Sequence, residues 1–259
     1  MRPHLLPAVL LTFVLAGCGV DQQPPVETPP ATTESLPPDG AARAELAARA
    51  AQAQDQRYAA LYDYDAKDGR GVRPVVATVA TDGSWRVDVP GGALGGGVDV
   101  AIVGNAEGVY QCALSSATNS VSPSCARIAD PGKRLPKEYD PKVQRVFRQW
   151  LSVFQDRQAP LSVVSAQPLP GAQGSCYSVD TVSASLKPPV DIGIYCYADS
   201  GVLTAARVAY GTYKLVSIAQ PPPHVDLPGP ASGTVGLETK SPPPPPEVPS
   251  SLAPSGAAG

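Results

Sequence analysis

Proline is spread so unevenly along this chain that it sets the limits of what can fold. Of 31 prolines in 259 residues, six fall at positions 19–40 and twelve at 220–259. Each fixes φ and removes a backbone donor, and their neighbours are mostly Ala, Ser, Thr and Gly. Such segments bury too little apolar surface to offset the entropy of ordering them. The expectation is one folded body at residues 41–219, large enough for a well-buried core, between a tether and a disordered Pro-rich tail at 220–259. The proline run at 242–246 reads as a polyproline-II spacer.

Residues 1–17 read as an address. Arg2 precedes an apolar run over 5–16 and then small residues. A dozen or so apolar residues fall short of a ~30 Å hydrocarbon core but suit the core of a cleaved signal peptide. The run ends in Leu15-Ala16-Gly17-Cys18, which resembles the bacterial lipobox. In that pattern the cysteine is alkylated by a diacylglyceryl group and becomes the first residue of the mature chain. The resemblance implies a lipid anchor on Cys18, with acyl chains such as palmitate, on the extracytoplasmic face of a cell membrane. Each buried methylene contributes roughly 0.8 kcal/mol, so two or three chains anchor stably where one does not. Residues 18–40 then serve as tether, reaching at most ~70 Å at ~3.1 Å per residue.

With Cys18 assigned to lipid, Cys112, Cys125, Cys176 and Cys196 remain. An even number in an exported chain points to disulfides. Cys176 and Cys196 sit on two apparent strands, and pairing residues whose numbers sum to 372 sets Cys176 opposite Cys196 and Tyr177 opposite Tyr195. Cys112 and Cys125 flank a Ser-, Asn- and Pro-bearing loop. A metal site built from all four cysteines needs paired short spacings, and none occurs here.

Residues 41–56 are rich in helix formers and lack Pro and Gly, which predicts a first helix. Beyond Arg57 the pattern changes. Trp85, Val87 and Val89 alternate with Arg86 and Asp88, and Val98, Val100 and Ile102 repeat the period of two. Turn signals at 67–69, 82–83, 105–108 and 199–201 divide a meander of antiparallel strands, about ten in all with two helices. Mid-chain, Asp140 suits an N-cap and Pro141 a first helical position. Val143, Val146, Phe147, Trp150, Leu151 and Phe154 then form one apolar stripe, predicting a continuous helix across the sheet's concave face. The fold class is α+β, predominantly antiparallel β: a curved half-barrel sheet with one or two helices covering it.

The order of parts resembles the LolA-like superfamily, especially the actinobacterial lipoproteins related to LprG and LppX. Those parts are the lipobox, polar tether, leading helix, strands, apolar-striped helix and further strands. The ending Gly211-Thr212-Tyr213-Lys214-Leu215, followed by Ile218 and Pro221, is similar as well. The resemblance implies a half-barrel with helices closing an apolar cavity, lined here by the six stripe residues and holding an acylated lipid. It implies no catalytic set. The extended proline tail and the two disulfides depart from the simplest members.

Chemistry-bearing patterns are sparse. The two histidines, His4 and His224, both lie outside 41–219, which excludes Ser-His-Asp and Cys-His catalysis and His-ligated zinc from the body. Gly95-Gly96-Gly97 lacks a following helix and reads as a flexible turn. Asp63 and Asp65 alternate onto one solvated strand face, without a calcium-loop pattern. A net charge of −3 gives no nucleic-acid footprint. Residues 127–148 hold seven cations (Arg127, Lys133, Arg134, Lys137, Lys142, Arg145, Arg148) against Asp130, Glu138 and Asp140. They form either an ordinary solvated face or a patch for anionic headgroups. The chain is expected to be no enzyme and to need no cofactor or metal. Two functions stay open: a carrier of a lipid or other amphiphile, and an envelope binding or scaffold lipoprotein with a filled core. The identity of a protein partner is not legible.

Overall fold

The computed structural model describes residues 38–116 and 120–241. Cys18, the tether up to residue 37 and the proline run at 242–246 lie outside them. Eleven antiparallel strands make one open sheet: β1 Tyr58–Asp65, β2 Val72–Val79, β3 Trp85–Ala93, β4 Val98–Gly104, β5 Val109–Leu114 and β6 Ser124–Ala129 form the first half. The second half is β7 Leu161–Ala166, β8 Ser175–Thr181, β9 Gly193–Tyr197, β10 Leu203–Val208 and β11 Gly211–Ala219. Two meanders meet where β1 pairs with β11, giving the order β6-β5-β4-β3-β2-β1-β11-β10-β9-β8-β7. The curved sheet holds its helices on one face, as the hydrophobic patterning requires.

Alternation assigns the faces. In β4, Val98, Val100 and Ile102 enter the main core while Ala101 and Val103 join a separate outer cluster. In β1, Tyr58, Ala60, Tyr62 and Tyr64 are buried inward, while Asp63 is exposed on the other face as its spacing predicts. Both disulfides form, Cys112–Cys125 and Cys176–Cys196. Each joins directly opposed residues of neighbouring strands, and the 372 register holds for Cys176 with Cys196 and Tyr177 with Tyr195.

Helix α1, Pro38–Asp55, begins three residues before the expected boundary of the body. It buries Ala42, Leu46, Ala50 and Ala53 along one stripe. Arg43 ties it to the far edge of the sheet by donating to the carbonyls of Asp156, Ala159 and Leu161. At the other end Arg49 pairs with Asp199 at 2.8 Å. The β9–β10 turn reaches it closely because Gly201 has φ +87 and no Cβ; one there would sit 2.6 Å from the Ala53 nitrogen.

Two expectations are corrected. The mid-chain helix is not continuous. A 3-10 segment, Val143–Val146, leads through a wide turn into a short helix, α2 Leu151–Gln155. Asp140 caps no α-helix, because Lys142 stands at φ 70 and breaks the helical path. The Asp140 carboxylate instead accepts from the Lys142 backbone N–H and the Gln144 side chain, each at 2.8 Å. Farther on, the Trp150 N–H reaches the Arg145 carbonyl, five residues back, at 3.2 Å. The stripe survives because 3-10, wide-turn and α geometry all return side chains to one face every three to four residues.

Residues 220–241, expected to be part of a disordered tail, form a docked strap. Leaving β11, the strap accepts hydrogen bonds from Thr81 N (2.9 Å to Pro222 O) and Asp82 N (3.1 Å to Pro223 O). Val225 and Leu227 cover the outer cluster of Ala101, Val103, Tyr110, Cys112 and Cys125. The strap then follows the free edge of β6, where Cys125 N donates to Pro230 O and Ser232 N to Cys125 O, at 2.9 and 2.7 Å. An otherwise open sheet edge is thereby paired. Turning inward, Leu237 packs against the main core, and Gln111 holds its backbone N–H and C=O at 2.6 and 3.0 Å. Finally Gly95 N donates to Thr239 O at 3.0 Å, so the 95–97 turn is an anchor point and not a free loop.

Candidate functional site

The stripe residues define the first candidate. Val143, Val146, Phe147, Trp150, Leu151 and Phe154 are all brought together on the concave face, each at most 3% exposed. Phe147 meets Tyr62 and Tyr213 at ring-centroid distances of 4.9 and 5.8 Å, and Phe154 meets Tyr195 at 5.1 Å. These are direct aromatic contacts, the separations of a closed core. Clefts of about 210 to 460 Å³ mark the described surface. Of the six stripe residues, Val143 alone borders one of them.

A polar hub fixes this helical layer. Asp191 accepts from Arg145 at 3.2 Å, from the Trp150 indole at 3.1 Å and from the Tyr210 hydroxyl at 3.0 Å. Arg145 also donates to Asp140 at 2.9 Å, and the Asp140 side chain is 5% exposed. Burial opposes the Arg145 charge, but the hydrogen bond and charge of Asp140, followed by Asp191, raise its pKa on balance. Arg145 is therefore part of the fold's framework.

The seven cations do not share one face. Arg127 pairs with Asp130 at 2.9 Å. Lys142 lies 5.9 Å from the Tyr210 ring centroid. Lys133, Arg134 and Arg148 do converge, with Trp85, Val109, Leu135 and Val153, around a cleft of about 260 Å³ beside α2. None of its lining residues is a carboxylate, and among the described residues these three cations form no salt bridge. Burial draws the Arg148 guanidinium below its ordinary pKa range. Gln144, also in the lining, gives its Nε2 to Asp140 and leaves Oε1 buried without a donor.

Trp85 shapes this cleft through a pairing that strand patterning did not reveal. Its register partner is Gly104. A Cβ at Gly104 would collide with the indole nitrogen, so the ring rests directly over the glycine. An aromatic covering a cross-strand glycine is a known stabilising device. Trp85, Gly104 and Asn105 also border an adjoining dish of about 460 Å³ that carries Asp82 and Glu107. No constellation of three or more His, Cys, Asp or Glu suited to a metal occurs among the described residues. Nor is any described helix long and apolar enough to cross a membrane.

No family model matches the chain, and no curated protein resembles it significantly in sequence.

Proposed function

We propose that this chain is a non-enzymatic extracytoplasmic lipoprotein, held to a cell membrane through Cys18, whose filled β body binds its ligand or partner at the surface. The observation that carries the surface reading is the direct seating of Phe147 and Phe154 on Tyr62, Tyr213 and Tyr195. Those contacts fall at the stripe that the LolA-like resemblance makes the lining of a cavity. The membrane tether rests on the lipobox and on the paired cysteines, whose oxidation suits an exported chain. Titrating the soluble body with a fluorescent fatty acid tests the first part, and no saturable uptake is expected. Replacing Cys18→Ser tests the second: the protein should leave the membrane fraction and lose acyl label.

A second reading, the lipid or amphiphile carrier, draws on the break in the helical layer. Two short segments joined by a wide turn lack the continuous backbone ladder of one helix, and the Asp140–Arg145–Asp191 hub would have to open for them to part from the sheet. One-to-one uptake of the acyl probe would select this reading over the first.

A further inference from the structure

We propose that the cleft beside Trp85 binds an acidic sugar residue; this names the ligand class for the surface-binding reading and rests on it. Size restricts the occupant first. At about 260 Å³ the cleft is slightly smaller than ordinary ligand pockets, which run roughly 300–1,000 Å³, and suits one hexose-sized molecule better than an acyl chain.

Charge restricts it next. Lys133 and Arg134 are exposed, Arg148 is half-buried, and no carboxylate in the lining offsets them. A partly desolvated guanidinium without a counter-ion is costly, and a bound anion relieves that cost by a charge-assisted hydrogen bond. The uncharged polar lining of Asn105, Gln149 and Ser152 offers donors and acceptors for hydroxyl groups.

Shape supplies the third restriction. The Trp85 indole, laid over Gly104, presents an aromatic surface at the border of the cleft. The C–H face of a pyranose packs against the electron-rich face of an indole. Arg148 donates to the Gln54 carbonyl at 3.3 Å and Arg134 lies over the Trp150 ring, so both are positioned yet no carboxylate neutralises them. A flat aromatic, several hydroxyl-binding groups and cations without a salt bridge together describe a uronic acid better than a bare anion or a neutral sugar.

The test uses the mature chain from Cys18 to Gly259, isotope-labelled, and follows its indole N–H signals by NMR. The sequence has two tryptophans, Trp85 and Trp150. Trp150 is held by Asp191, but its ring lies 5.4 Å from the Arg134 guanidinium and so reports on that cation; the backbone amides of β9, outside the cleft lining, serve as the internal reference. D-glucuronate is the probe, with D-glucose and acetate as the neutral-sugar and anion-only controls. Millimolar glucuronate should move the Trp85 signal saturably and leave the β9 amides in place. Both controls should bind more weakly by about tenfold or more, the scale of one charge-assisted hydrogen bond. Lys133→Gln with Arg134→Gln, two exposed positions, should weaken glucuronate by about tenfold or more. Gly104→Ala should displace the indole and have a similar effect. Should that variant fail to fold, the exposed pair still decides the matter. A Trp85 signal indifferent to glucuronate, equal binding of either control, or unchanged affinity in the double variant would overturn the proposal. Uptake of a fatty acid with glucuronate binding intact would instead count against the filled core alone.

Discussion

The two halves of the sheet solve one problem in different ways. Each carries a disulfide on its outer face between neighbouring strands, and each shields it with apolar side chains. On the β7–β11 side the cover is local: Leu169 and Ala172, from the β7–β8 connection, pack over Cys176, Cys196 and Ala205. On the β2–β6 side it comes from far along the chain, as the strap brings Val225 and Leu227 onto Cys112, Cys125 and Tyr110. The interiors differ too. Tyrosines 58, 62 and 64 of β1 and 177, 195, 197 and 213 of the second half line one part of the core, while Val75, Val79, Val87, Val89, Val100 and Ile102 dominate β2 to β4. Local cover needs only its own half; distant cover needs Val225 and Leu227, from beyond β11.

Truncation after Ala219 should have the largest effect. Losing the strap uncovers the outer cluster and removes Leu237 from the main core. The cost should be about 4 kcal/mol, the lost burial less the strap's own ordering entropy. Truncation after Ser241, which keeps the strap whole, is the matched control and should cost less. Denaturant unfolding of both variants checks this, and equal stability of the two would break the comparison. Mild reductant sharpens it further: after truncation at Ala219, Cys112–Cys125 should open first while Cys176–Cys196 stays protected.

Removing either disulfide by paired Cys→Ala substitution should cost about 3 kcal/mol in the chain-entropy model. The sequence separations are 13 and 20, so the second bond should matter more by roughly 0.4 kcal/mol. A much greater loss at Cys112–Cys125 would mean that the strap depends on that disulfide for its docking surface.

Alkaline titration probes the tyrosine-rich interior. Burial pushes Tyr58 up to about 12, against a smaller lowering by Arg148. Burial likewise raises Tyr195 and Tyr213 well above their ordinary range. Folding therefore holds these phenols neutral, whereas the unfolded chain ionises from about pH 10. The folded state binds more protons above that point, so stability falls as pH rises, by about 1.4 kcal/mol per pH unit for each such group. Tyrosinate absorbance and loss of ellipticity should rise together above about pH 10. Ionisation of the buried set with the fold intact would contradict the packing.

The smallest effect is expected at Leu237→Ala, about 1 kcal/mol for a partly buried side chain. It should loosen the strap's inner end and leave the Cys176–Cys196 half unchanged, as hydrogen exchange of β5 against β9 would report.

Legibility followed the range of the contacts involved. The Cys176–Cys196 hairpin could be registered from sequence because two alternating strands and a paired tyrosine agreed on one number. The leading helix was visible in its composition, and the inward face of β4 in its alternation. The strap was not. Val225 and Leu227 flank Asp226, prolines and glycines separate them from Leu237, and the strap's hydrogen bonds are made with distant strands and turns. Proline content there led to an expectation of disorder, but it says nothing against a docked extended segment. The mid-chain stripe likewise identified the buried face without revealing Lys142's left-handed backbone, since a 3.6-residue period tolerates a break. At the cleft, the cations were visible as a cluster, but which of them converge depends on tertiary packing. The seating of Trp85 on Gly104 joins residues nineteen apart through strand register.

Native mass spectrometry of the protein released gently from its own membrane tests the central claim most directly. A filled core predicts one species, the mature chain with its covalent acyl groups on Cys18 and both disulfides, with no further lipid mass. A stoichiometric non-covalent lipid, retained until the fold is disrupted, would contradict it.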